Sequence, residues 1–301
     1  MTRAETAPFR FFPLQVDRTR RLGRSLVRVT FTGEATKGFR SGGHDQSLSL
    51  FLPHPGQDAP VLPPLDTPDM YAILGAWRAM PHAERAVMRS YTVRAQRTAP
   101  DGTAEIDIDF AVHAGGGPAC RWAKGARPGD RVVVLGPAAA DNTGVRFRPP
   151  ADADAALLWG DETALPAVAG ILERLPAGFP VRVFLEVPYT EDRLELETAA
   201  DATVSWLVRD EGAPSAVAAV AAAELPGSAP YVWLSGESGS VKALRRHFVR
   251  ERGLDRRRVT FVGYWRKGLS EDALRDVPDE TAEEARAEAA DIPSGEARAG
   301  A

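Results

Sequence analysis

The hexapeptide Arg89–Arg94, "RSYTVR", delivers an aromatic ring, a hydroxyl and cations within one short run. In an extended strand Arg89, Tyr91 and Val93 share one face, and Ser90, Thr92 and Arg94 the other. Ring and hydroxyl therefore bracket a planar ligand only if it lies across the strand end. A phenol against a flat heterocycle gains ~0.5–1.5 kcal/mol beyond simple burial, a threonine hydroxyl reaches a ring nitrogen, and the arginine fork at Arg89 matches a phosphate. The plainer alternative makes Tyr91 a barrel residue and leaves the arginines solvated; from these six residues both readings stand.

Three further stretches carry comparable chemistry. In "HAGGGPACRWAKG", Gly115–Gly117 precede Pro118, a residue suited to the first position of a helix whose free N–H groups would face the loop and attract an anion. Helical spacing then puts Trp122 one turn further on. Alone, this reads equally as an ordinary strand-to-helix turn; with Arg89–Arg94 it makes a site for a flat ring joined to a diphosphate. "WGDETALPAV" and "SGESGS" each follow an apolar run with a small-residue loop. The first lacks Gly-x-Gly-x-x-Gly, which argues against a tightly held dinucleotide, and its Asp161 and Glu162 serve either a ribose or the helix start. "GYWRKG" ends the last apolar run with two aromatics and two cations, either beside a ligand or as a core strand with a solvated end.

The bulk composition narrows the classes. Cys120 is the single cysteine, and it excludes an intramolecular disulfide, an iron–sulfur cluster or a zinc site built on thiolates. Electron transfer would need an organic cofactor. The formal charge is -4, but residues 271–301 hold ten acidic residues against three arginines, a net of -7 that leaves +3 on the rest. That remainder is no nucleic-acid footprint. The acidic, alanine-rich end buries too little apolar surface to order itself, and a disordered tail over 270–301 is expected. No run reaches the ~18 apolar residues of a membrane span, and the start of the chain lacks a secretory apolar segment. A cytoplasmic location and a monomer are the expectations.

Two elements of different period must position these motifs. From residue 9 to about 140 the chain alternates with period two: "SLVRVTFTG", "SLSLFLP" and "AEIDIDFAVH", the last with Ile106, Ile108 and Phe110 on one face and Asp107 and Asp109 on the other. Gly/Pro breaks between these runs suggest an antiparallel barrel closed on itself, with a partly helical excursion over "DTPDMYAILGAWRAMPHAERAVM" and a closing strand "DRVVVLGP". From 151 to 269 five apolar runs alternate with helical stretches after "AALLWG", within "SAVAAVAAAEL" and in "SVKALRRHFVRERG". That pattern indicates a parallel sheet covered on both faces, with ligands at the carboxyl ends of its strands.

"RSYTVR" resembles the Arg-x-Tyr-Ser/Thr flavin motif of the ferredoxin reductase superfamily. With "DFAVHAGGGPACRWA", "WGDETALPA" and "GYWRKG" in matching order, residues 9–270 resemble the siderophore-interacting protein family. The resemblance implies an FAD-binding antiparallel β-barrel over 9–140 followed by an NAD(P)H-binding α/β domain over 151–269. It implies ferric-siderophore reduction: NADH or NADPH delivers hydride to the flavin, which passes single electrons to chelated Fe(III).

Carried over residue by residue, the resemblance gives Arg89 the FAD diphosphate, Tyr91 the isoalloxazine face and Thr92 the ring near N5. Asp109, Phe110, Val112 and His113 run along the flavin; Gly117, Pro118 and Ala119 offer backbone to the diphosphate; Trp265, with Tyr264, covers the ring. His113 stays open between a structural role and proton handling. Gly160, Asp161, Glu162, Thr163, Gly236 and Glu237 fall at the nicotinamide coenzyme. Arg266 and Lys267 are the substrate candidates. Many family members carry a lysine where this chain has Ser49, and His44, Arg78 or Arg266 are the candidates to replace it. Two rival functions are a flavin reductase with a protein acceptor such as a flavodoxin or ferredoxin, and a flavin- or siderophore-binding module without turnover.

Overall fold

Alternation with period two produces seven strands in the first half: β1 (Phe9–Arg21), β2 (Leu26–Thr32), β3 (Ser47–Leu52), β4 (Val87–Thr92), β5 (Ala95–Thr98), β6 (Ala104–Ala111) and β7 (Arg131–Pro137). The structure is a computed structural model that describes residues 7–67 and 69–269; the acidic tail expected over 270–301 lies outside the described residues. The strands form one antiparallel sheet in the order β4-β3-β7-β1-β2-β6-β5. Phe12, Leu14, Val29, Phe31, Leu50, Ile106, Ile108, Phe110 and Val134 fill its concave side.

The sheet curls without a closing ladder, a refinement of the closed barrel read from the sequence. Its two outer strands, β4 and β5, are consecutive pieces of one stretch. Between them Val93 N–H still donates to Gln46 on the β3 side, and Arg94 N–H already donates to Asp107 on β6. The backbone thus changes partners immediately after Tyr91 and Thr92. On the outer side of β6, Arg28 grips Asp109 through two bonds of 2.7 and 2.8 Å, and Arg97 takes Asp107. These arginines cover the polar side of the strand, so β6 is buried on both faces where alternation alone implies one.

The excursion folds as α1 (Met70–Ala79). Asp69 caps it by accepting from Tyr71 N and Ala72 N. Trp77 anchors it edge-on against Phe51 at 5.6 Å. The glycine run ends in α2 (Pro118–Gly125), with Pro118 at its start as read from the sequence.

The second half holds β8 (Ala155–Gly160), β9 (Pro180–Val187), β10 (Asp201–Val208), β11 (Pro230–Glu237) and β12 (Val259–Trp265). All pair in parallel, in the order β10-β9-β8-β11-β12, so the order reverses between β8 and β11. On one face α3 (Leu165–Leu172) packs over Leu158, Val183 and Trp233. On the other, α4 (Ala216–Ala221) and α5 (Ser238–Arg246) cover Trp159, Phe184 and Leu234. The alanine-rich helix is shorter than its run of residues: Ser215 caps its start, and Pro226 disfavours helical backbone just before it. No helix among the described residues is long and apolar enough to cross a membrane.

Two buried carboxylates join the halves. Asp192, fully buried in the turn after β9, accepts from Ser25 N at 2.7 Å and Ser25 Oγ at 2.6 Å, at the end of the β1–β2 turn. Asp45 of the first half accepts from Arg146 N and Phe147 N and, at 2.9 Å, from the Trp233 indole of β11.

Candidate functional site

A cavity of about 730 Å³ opens along the seam between the two sheets. One wall is built from the barrel. Arg89, Tyr91 and Thr92 reach it from the end of β4, at the place where the chain leaves β3 for β6. The Tyr91 ring is backed by Phe110, whose centroid lies 4.5 Å away. Thr92 is buried beside Tyr264; burial raises the Tyr264 hydroxyl well above its ordinary value, and the Ser235 and Thr92 hydroxyls oppose that rise.

The start of α2 completes this wall through Gly117, Pro118 and Ala119. No side chain caps the helix, and a Cβ built on Gly117 would meet nothing within 4 Å. The helix is fixed from behind by Trp122, stacked parallel to Phe31 at 6.2 Å. An uncapped helix start facing open space is a place for an anion. The residues present therefore fit FAD: a ring face at Tyr91, a hydroxyl at Thr92, and an uncapped helix start with the Arg89 guanidinium for the diphosphate.

The opposite wall comes from the strand ends of the parallel sheet. Glu162 and Thr163 follow β8, Pro188 and Tyr189 follow β9, Arg209 follows β10, and Tyr264 and Trp265 end β12. Arg209 donates to both oxygens of Glu162, at 2.7 and 3.0 Å, and to Glu186 at 3.0 Å. Below them Asp161 is buried, and four groups donate to its carboxylate: Thr163 N at 2.9 Å, Thr163 Oγ1 at 2.5 Å, Glu237 N at 2.8 Å and Trp265 Nε1 at 2.7 Å. Burial and the neighbouring Glu162 push its carboxyl up to about 6, against the pull of those donors. Gly236 is required here: its φ is 143°, and a Cβ would lie 2.6 Å from Asp161 Oδ2.

The structure sorts the residues named from the sequence. Arg89, Tyr91, Thr92, Asp109, Val112, His113, Gly117, Pro118, Ala119, Glu162, Thr163 and Trp265 line one cavity. Asp109 arrives with its carboxylate already held by Arg28, and Phe110 keeps its side chain in the barrel core. Gly160, Asp161, Gly236 and Glu237 are not in the lining, and Asp161 turns to Trp265 and backbone donors beneath it. Arg266 and Lys267 are exposed beyond β12 and outside the lining. His44 does not reach the cavity: its ring stacks on Phe147 at 5.7 Å, and its carbonyl packs where a Cβ on Gly170 of α3 would be. Burial and Arg174 lower its pKa, which disfavours its cationic form.

Sequence reasoning missed Arg21, Arg24, Lys124, Tyr189 and Arg209, all in the lining. The Arg24 guanidinium lies 3.8 Å from the Tyr189 ring centroid, a cation–π contact made across the seam. No local motif announces such a pair, because its members are 165 positions apart.

The family model described as "Siderophore-interacting FAD-binding domain" matches residues 15–141, and the one described as "Siderophore-interacting protein" matches 153–268. The chain belongs to the siderophore-interacting protein family. Residues 15–141 are its FAD-binding domain, and FAD with NAD(P)H are its cofactors. Among curated relatives, the ferric vibriobactin reductase ViuB of Vibrio cholerae is 30% identical over 89% of this chain and 94% of its own length. The NADPH-dependent ferric-chelate reductase of Escherichia coli is 32% identical over 85% of this chain and 93% of that protein. The crystal structure of SipS from Aeromonas hydrophila matches 91% of this chain and 99% of its own with a TM-score of 0.72 and 32% identity. A ferredoxin reductase of carbazole 1,9a-dioxygenase shares the fold at 17% identity, with a TM-score of 0.58.

Proposed function

We propose that this flavin oxidoreductase is a ferric-siderophore reductase that draws on NAD(P)H and releases iron as Fe(II). The observation that carries the reading is the single cavity in which the Arg89–Thr92 strand end and the uncapped start of α2 meet the carboxyl ends of the parallel sheet. When bound there, FAD supplies the conversion of a two-electron donor into one-electron steps, which Fe(III) requires and a nicotinamide alone does not readily provide.

The chain's own residues bind, orient and exclude. Tyr91, stiffened by Phe110, offers a ring face; Thr92 offers a hydroxyl; the N-terminal turn of α2 and Arg89 neutralise the diphosphate. Trp265 and Tyr264 shield the cavity from the sheet side. Arg21, Arg24 and Lys124 line it and raise the local concentration of anionic chelates. Oxygen donors hold Fe(III) far better than Fe(II), so reduction itself loosens the substrate metal.

The test is a reaction sequence followed by absorbance. Purified protein reconstituted with FAD is expected to bleach under anaerobic NADH or NADPH and to regain its colour on adding a ferric siderophore, with Fe(II) trapped by a ferrous chelator. Bleaching without recovery would overturn the ferric reductase reading while leaving a flavoprotein. Recovery with flavodoxin or ferredoxin alone would reassign the acceptor.

A further inference from the structure

At the point where the sheet reverses its order, a dinucleotide-binding fold ordinarily leaves backbone N–H groups free for a diphosphate. Here the corresponding donors are in use. Thr163 N and Glu237 N, from the loops after β8 and at the end of β11, both donate to the Asp161 carboxylate, and the Trp265 indole donates to the same oxygen as Glu237 N. Gly236 has no side chain because the carboxylate occupies that space. The end of β12 is held at two further points: Ser238 Oγ donates to the Trp265 carbonyl at 2.8 Å, and Lys267 N–H donates to Glu237 Oε1 at 3.3 Å. One carboxylate thus ties together three strand ends.

We propose that Asp161 is a positioning residue and not a coenzyme ligand: it fills the switch point with a built-in anion and fixes the Trp265 indole against the cavity. A coenzyme diphosphate would then have to be held by groups other than the Thr163 and Glu237 amides. The proposal rests on the reading above only for this consequence. The hold on the indole stands on the geometry alone. It also accounts for the absent Gly-x-Gly-x-x-Gly: a loop that has already supplied its own anion needs no glycines to bring backbone close to a phosphate.

The decisive measurement uses the FAD-free full chain. Each of its six tryptophans contributes one indole N–H resonance, and the signal that Trp265→Phe removes is the one from position 265. In the wild type that proton should exchange slowly; in Asp161→Asn it should exchange about 10-fold faster or more, the order expected on replacing a charged acceptor by a neutral amide. Equal exchange rates would overturn the proposal.

If Asp161→Asn does not fold, Trp265→Phe carries the test from the other side. Losing the indole donor should move the Asp161 carboxyl titration upward, and an unchanged midpoint would overturn the proposal. A kinetic cycle on the reconstituted enzyme separates positioning from direct contact. Asp161→Asn, Trp265→Phe and the double variant should shift the NAD(P)H KM by the same factor, whereas multiplying effects would make Asp161 a coenzyme ligand. Wild-type protein that does not oxidise NAD(P)H would sink the functional reading and leave the exchange result to decide on Asp161.

Discussion

On the barrel wall of the cavity the start of α2 has no capping side chain and Gly117 opens onto free space, whereas on the sheet wall the strand-end amides already serve Asp161. Both walls are strand-to-helix junctions, and both are suited to anions. They differ in whether the chain itself supplies one. A wall with unused donors gains their full strength when a diphosphate arrives and suits a resident cofactor; a wall whose donors are satisfied gains little and suits a ligand that must leave every turnover. The same contrast runs through the aromatics, since Tyr91 leans on the barrel core while the Trp265 indole donates to the buried Asp161 carboxylate.

The sharpest way to break the contrast is to give the barrel wall its own anion. Gly117→Asp adds a carboxylate at a position with extended backbone and room for it, so the folded apoprotein should keep or slightly raise its Tm. FAD affinity, measured by calorimetry, should fall ~100-fold as the new carboxylate competes for the helix start and repels the diphosphate. Gly236→Ala attacks the other wall. Its φ of 143° and the 2.6 Å approach to Asp161 predict ~1–3 kcal/mol of lost stability in urea unfolding, with the FAD affinity of surviving protein little changed.

Tyr91→Ala should cost ~10-fold in FAD affinity, the sum of lost stacking and lost burial, and leave NAD(P)H handling of the loaded fraction near wild type. The smallest effect is a slope. The folded-state carboxyl of Asp161 lies at about 6, above the ordinary aspartate value, so between about pH 4 and 6 the folded protein binds the extra proton and stability falls as pH rises through that window. Urea titrations across pH 4–7 should show this decline in the wild type, and Asp161→Asn should remove it.

The period-two alternation of β6 and the glycine run before Pro118 were readable because the relevant physics is local: side-chain alternation along one strand, and the suitability of proline for the first turn of a helix. The five parallel strands were readable for the same reason. What the one-dimensional pattern could not carry was pairing at a distance. Asp161 reads as an acidic helix start or a ribose contact, and only the approach of Trp265, more than a hundred residues later, makes it a buried acceptor. His44 reads as one candidate to replace the lysine missing at Ser49, and its ring instead stacks on Phe147 away from the cavity lining. Arg28 and Arg97 belong to no motif, yet they cover the acidic side of β6. The gap in the barrel ladder after Thr92 has no residue signature, since it is a change of hydrogen-bond partner between two ordinary strands.

The carboxylates of Asp192 and Asp45 have a mechanical consequence. Each accepts from a donor in the opposite half, and prying the halves apart would give up those bonds at ~1.5–3 kcal/mol each. The two halves are thus pinned to each other at two separate points, one at each carboxylate.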